Sequence, residues 1–275
     1  MNAPASNVKD LRDRAELDEA IDLINDALSS DPLAAGLPVR KRLLGRVADS
    51  AERHQGLVTV RTRHLPVQSL ADGATVRWLY HTDAMRARRA GEPQRLALIE
   101  LPPGASVSSG LGLANRHSEW LVTRGSITLD GVALDTLDHH GHAASPREPL
   151  LASAGGATIY LRDNGDEPSP AGTSRERHAQ WENFAPGIRR RVLWQAGNAC
   201  AYLARAQLGA AVPAHGHRND EECLMIEGEL FTGDILIREY EFQLAPVGLK
   251  HGLVQAATDG LIYVRGDAEL DILPG

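Results

Sequence analysis

Apolar positions between residues 10 and 29 recur at Leu17, Ile21, Ile24 and Leu28, a spacing of three and four that predicts an amphipathic helix. A second helix is expected from about Pro38, a residue suited to a first helical turn, and carries Leu43, Leu44, Val47, Ala48 and Ala51. From residue 57 the helical period stops. Short apolar runs replace it at Val58 to Arg63, Thr75 to Tyr80, Arg95 to Leu101, Glu119 to Thr123, Ile127 to Leu129 and Thr158 to Leu161, each the length of a strand. The stretch Asn164 to His178 holds Pro, Gly, Ser and charge but almost nothing apolar, which is the composition of a linker.

The strand-rich region on either side of that stretch is duplicated. Asp72 to Tyr80 corresponds to Ala185 to Trp194 with a one-residue shift, and Leu98 to Gly104 corresponds to Leu203 to Gly209. Glu119 to Gly125 lies on Glu222 to Gly228 without a gap, and Ile159 to Arg162 matches Ile262 to Arg265. Four blocks in one order define a repeated domain. The expected organisation is a helical segment at 1–56, a first β domain at 57–163, a linker at 164–178 and a second β domain at 179–275.

Composition narrows the functional classes. With 26 Gly and 15 Pro among 275 residues, and 43% apolar residues, the chain can bury real cores and reads as mostly β. Its 29 basic residues are scattered against a net charge of −7, so no nucleic-acid footprint is expected. No apolar run is long enough for a membrane span and the N-terminal residues have no signal-peptide core, so a cytoplasmic protein is expected. Cys200 and Cys223 are too few and too far apart for a Cys-x-x-Cys zinc site or a disulfide framework.

The candidate chemistry lies in the second repeat. His215 and His217 are two apart, so on a strand they point the same way and offer two imidazoles to one ion. Glu221 follows across the turn Arg218-Asn219-Asp220, and His251 comes from a distant strand behind the Pro246-Val247-Gly248 bend. Only a closed or rolled sheet brings these four together. Glu222 faces the other way from Glu221, toward solvent or a salt bridge, whereas Cys223 and Met225 share the face of Glu221 and are expected to line a pocket. In the first repeat Ser118 stands opposite Glu221, Gly112 and Ala114 opposite the two histidines, and Glu148 opposite His251. That repeat therefore lacks the set and reads as structural. His139, His140 and His142, near a Gly turn, are read there as an exposed loop, the alternative being a replacement site formed with His117.

These residues resemble the two cupin motifs, G-x5-H-x-H-x3-E-x6-G and G-x5-P-x-G-x2-H-x3-N. Gly209, His215, His217, Glu221 and Gly228 meet the first in every position. In the second, Tyr240 replaces the opening glycine and Gln255 the asparagine, and Gln255 is expected beside the pocket. The resemblance implies two tandem jelly-roll barrels, a bicupin, with short N-terminal helices in front. It also implies one divalent metal per chain on His215, His217, Glu221 and His251, the ion being Fe, Zn, Mn or Ni.

The second repeat also resembles the cupin domain of the ChrR family of anti-sigma factors. Trp181-Glu182, Pro186-Gly187, Val192-Leu193-Trp194 and the run from His215 to Gly228 carry that likeness, with Arg42 to Val47 resembling the segment before the cupin. Members of that family hold their partner with a separate zinc domain bearing His-x3-Cys-x2-Cys; in this chain both cysteines lie in the second repeat. The implied function is sensing of a small molecule or oxidant, with a protein partner at the N-terminal helices. The alternative is a non-haem iron dioxygenase acting on a diketone-like substrate, with no catalytic residue assigned. Two barrels in one chain fit a monomer or a homodimer.

Overall fold

Strands joined by tight turns pair antiparallel, and every strand pair among the described residues does so. The computed structural model describes residues 37–82, 89, 91–170 and 172–273. Of the two expected helices, the second is the 17-residue helix Leu37–Arg53, and the first lies outside the described residues. The chain divides into two units, 1–55 and 56–275, and both β repeats lie in the second.

The duplication read from the sequence reappears strand by strand. Ala157–Gly165 lies between Arg95–Leu101 and His117–Leu129 in one sheet, and Gly260–Asp267 lies between Ala199–Ala206 and Glu221–Glu227 in the other. Register shifts fall at equivalent places. One passes from Trp78 to Tyr80 and from Val192 to Trp194, and another skips Thr123 and Ile226. Gly125 and Gly228 follow the second shift with φ of 79° and 84°. A Cβ there would stand 2.1 Å from the Gly156 carbonyl oxygen or 2.3 Å from that of Asp259, so only glycine fits. Tyr240, where the motif expects glycine, also adopts a left-handed φ of 59°, as does Leu137 at 66° in the first repeat. Each bears a conformational cost of roughly 1–2 kcal/mol, offset by packing of both side chains in the apolar layer between the repeats.

Three apolar clusters result. Val107, Leu111, Leu113, Trp120 and Leu129 fill the first barrel, while Tyr202, Met225, Leu230 and Ile262 belong to the interior of the second. The third cluster takes Leu98, Leu121 and Tyr160 from one repeat and Leu203, Leu224 and Tyr263 from the other, and so glues the two sheets face to face.

Two edge strands depart from the sequence reading. Val58–Val60, expected with the first barrel, pairs with Phe242–Ala245 of the second. Arg61 bonds to Glu241, and the Thr62 hydroxyl donates to the Tyr240 carbonyl. Gly172–Ser174, inside the expected linker, pairs with His139–His142 of the first barrel. Edge strands present unpaired backbone groups, and each barrel satisfies them with a segment from outside its own repeat.

At the centre of the glued face sits a buried charge cluster. Arg162 Nε donates to Glu222 Oε1 at 2.9 Å, and Arg265 Nη2 lies 3.5 Å from Glu119 Oε1, so each arginine reaches the glutamate of the other repeat. The Tyr160 hydroxyl donates to Glu222 at 3.1 Å, Trp194 Nε1 donates to Glu119 at 2.9 Å, and the Tyr160 and Tyr263 rings meet at 5.1 Å. Burial alone would push the Glu119 carboxyl up, but Arg265, His139 and Arg162 outweigh it and hold it below the usual carboxylate range. Removing one member of such a cluster strands its partner. We expect Glu222→Ala to lower unfolding free energy by about 3–5 kcal/mol, as measured by denaturant titration; a loss under about 1 kcal/mol would show that the cluster is not structural.

Candidate metal centre

The strand Glu221–Glu227 decides what each barrel contains. Its alternation turns Glu221 and Cys223 into the second barrel and sends Glu222, Leu224 and Ile226 to the face between the repeats. His215–Gly216 pairs with Lys250–His251, placing His215 directly opposite His251. Here the two motifs, far apart in sequence, become cross-strand neighbours.

The four predicted ligands converge. Donor atoms of His215, His217 and Glu221 lie within 4.8 Å of one another. His251 Nε2 is 3.3 Å from Glu221 Oε1, and His217 Nδ1 is 3.5 Å from Glu221 Oε2. The His217 and His251 rings are 4.7 Å apart, and His215 lies 5.0 and 5.4 Å from them. The three imidazoles are buried.

The bonding state of the rings fits an ion. His215 Nδ1 meets the Pro213 carbonyl at 2.8 Å; a carbonyl only accepts, so the proton sits on Nδ1 and the Nε2 lone pair is left for a metal. Both ring nitrogens of His217 are buried without a hydrogen-bond partner, a state that costs about 1–3 kcal/mol per group unless something binds there. Burial pushes His217 below its ordinary value, favouring the neutral ring that a metal needs. Burial pushes Glu221 the other way, but His251, His217 and His215 hold its carboxyl down at about 2, ionised at neutral pH. Neutral imidazoles with one carboxylate are a donor set for a divalent transition metal.

The turn between His217 and Glu221 is gripped from outside. Asp267 accepts from the Arg218 amide at 2.7 Å and from Asn219. Asp220 accepts from the Val247 amide at 2.7 Å and pairs with Arg89 of the first repeat at 2.7 Å.

Beside the ligands lies a cavity of about 70 Å³. Cys223 lines it, as expected. Met225 faces the same interior but packs deeper, its methyl against Gly260, where an added Cβ would stand 2.6 Å from it. Gln255 is outside: alternation along Val254–Ala256 turns its neighbours inward and leaves it exposed, donating to the Gly209 carbonyl at 3.3 Å. Tyr202, Gln243, Thr232 and Phe184 line the cavity and were not singled out from the sequence. Counting every second residue along each strand would have found Tyr202, whereas Gln243 lies on a strand that the motifs do not mark.

In the first barrel, Trp120 occupies the position of Cys223, is fully buried and donates to Ser118 Oγ at 2.9 Å, so the indole fills the space the second barrel keeps open. Glu148, opposite His251, accepts instead from the Leu111 and Gly112 amides at 3.0 Å. The four histidines of that repeat have separate partners: His139 has Glu119, His140 has Thr173, His142 has Asp130, and His117 accepts from the Ala144 amide. None of them lies in an exposed loop: His117 opens the strand His117–Leu129, the other three lie on His139–His142, and His139 is buried.

The ChrR cupin-like domain family matches residues 172–270. The second barrel is therefore similar to the ChrR cupin domain. Anti-sigma-E factor ChrR of Cereibacter sphaeroides is 35% identical over 95 residues, covering 31% of this chain and 44% of that protein; the chain thus spans less than half of the curated relative it matches. Among solved structures, a Nostoc punctiforme protein provisionally assigned as a dioxygenase matches at TM-score 0.60 and 16% identity, over 80% of this chain and 87% of its own. Oxalate decarboxylase of Bacillus subtilis matches at TM-score 0.55 and 13% identity, over 77% and 76%. Such identities establish the fold alone, and that fold spans both barrels. The second barrel thus joins a sequence similar to the ChrR cupin to a cupin fold, with a candidate metal site at His215, His217, Glu221 and His251. No helix among the described residues is long and apolar enough to cross a membrane.

Because the ring nitrogens of His217 make no hydrogen bond within the protein, the side chain is expected to serve a bound ion rather than the fold. His217→Leu is expected to drop metal content, measured by elemental analysis after dialysis, from about one per chain to a small fraction. Replacing two orphaned nitrogens with apolar atoms of similar volume is close to neutral for folding, so the metal-free proteins should unfold at matching temperatures. A markedly destabilised metal-free variant would give His217 a structural role.

Proposed function

We propose that this chain is a sensing or regulatory protein whose second barrel binds a small molecule or oxidant at a metal held by His215, His217, Glu221 and His251. The observation that carries this reading is a full ligand set at one end of a cavity that the other barrel has filled with Trp120. Burial, with Glu221 nearby, pushes the Cys223 thiol well above its ordinary range, so thiolate chemistry is disfavoured and the metal is where a ligand or oxidant acts. The regulatory direction is supported by the likeness of this barrel to that of an anti-sigma factor. A protein partner engaging the N-terminal helical segment completes the reading.

A second reading, a metal-dependent dioxygenase, is favoured by the cavity itself. Three imidazoles and one carboxylate leave positions open on an ion that prefers six ligands, which suits Fe, Mn or Ni better than a closed zinc site. The metal would supply Lewis acidity toward the oxygens of a bound diketone. This chain's residues would bind and enclose that substrate, with Tyr202, Cys223 and Gln243 facing it and the apolar wall excluding water.

One experiment separates the two. The full chain is purified anaerobically, its metal is measured, and oxygen uptake is followed while a panel of diketones is added. The sensor reading expects bound metal and no uptake. Iron with substrate-dependent uptake would establish the enzyme, and stoichiometric zinc without uptake would end the dioxygenase reading.

A further inference from the structure

The walls of the cavity specify more than its size. Beyond His215, Glu221 and His251 its lining is uncharged and mostly apolar, with Phe184, Val212, Leu230, Ile262 and Val264 beside the neutral polar Tyr202, Thr232 and Gln243, and no Lys or Arg among the described residues reaches it. The arginine that stacks on two of the lining rings is already committed. Arg190 lies 4.8 Å behind the Phe184 ring and 5.9 Å from the Tyr202 ring, its Nε on Glu182 at 2.6 Å and its Nη1 on the Ala268 carbonyl at 2.9 Å.

Charge then limits the occupant. Glu221 is the single anionic ligand among neutral imidazoles, so a divalent ion keeps one net positive charge, which one monoanionic chelate would neutralise. A second carboxylate on the ligand would enter a buried space whose lining offers no cation to pair it, and a buried charge without a countercharge is strongly disfavoured. The volume sets the tail: about 70 Å³ holds roughly five to seven water-sized groups.

Resting on the reading that a small ligand binds at the metal, we propose that this ligand is a monoanionic oxygen chelator with a short, uncharged alkyl tail, and that dicarboxylates are rejected. The metal-binding oxygens face His215, Glu221 and His251, and the tail lies against Val212, Leu230, Ile262 and Val264. Phe184 and Tyr202, their rings 5.9 Å apart, close one side.

The test uses two 2-oxo acids with the same chelating head. The full chain is loaded with Co(II), and its visible absorption is titrated anaerobically with 4-methyl-2-oxopentanoate, which has a branched alkyl tail, or with 2-oxoglutarate, which ends in a second carboxylate. The shared head cancels intrinsic metal affinity, and no turnover is needed. The alkyl-tailed acid is expected to bind at least tenfold more tightly. A ratio below tenfold overturns the apolar-tail assignment while leaving ligand binding at the metal intact. If neither acid changes the cobalt spectrum, the assignment falls together with the reading on which it rests.

Discussion

The period of two along Glu221–Glu227 fixes both the metal centre and the union of the barrels. One face of this strand gives Glu221 to the candidate metal site and Cys223 to the cavity; the other gives Glu222 to Arg162 and Leu224 to the apolar layer between the repeats. A slip of one residue would exchange the two sets. Shifted one way, Cys223 would take the place of Glu222 and deprive the buried Arg162 of that carboxylate. Gly228 and the register shift at Ile226 guard against that slip, since the turn closes at only one place. Ligand geometry and domain packing are therefore one constraint.

The equivalent strand of the first repeat obeys the same constraint with different contents. Glu119 keeps the interface role, bonded to Trp194 and near Arg265. The inward positions have changed to Ser118 and Trp120, which satisfy each other and leave no room for a ligand. Conservation of one face and loss of the other is what different selection on two faces of one strand would produce. The interface face serves both barrels at once, whereas the cavity face of each strand serves only its own barrel.

What could be read in the sequence follows from this. The four ligands were legible because a strand repeats every two residues and the motifs fix the turn lengths between them. The left-handed backbone at Tyr240 was hidden by a side chain that seldom adopts it. Gln255 was misplaced because the motif names its position but not its face, and only the pairing of Phe231 with Gln255 shows that both point outward. The exchanged strands were not legible: Val58–Val60 pairs with residues more than 180 positions away, and nothing local distinguishes an edge strand of one barrel from that of the next. Gly172–Ser174 reads as linker by composition because a short edge strand needs no apolar run.

The first barrel also bears on the site more directly than a filled core implies. A metal site set on a turn is only as well defined as that turn, and the residues Arg218 to Asp220 have no strand to hold them. Asp267 secures the near side through the Arg218 amide and Asn219. Asp220 secures the far side, joining the Val247 amide, on the segment leading to His251, to the Arg89 guanidinium. Arg89 belongs to the first repeat, so the span from His217 to Glu221 and the approach to His251 are tied to each other by a carboxylate whose countercharge the other barrel provides. The positions of the ligands depend in this way on residues that no ligand motif contains.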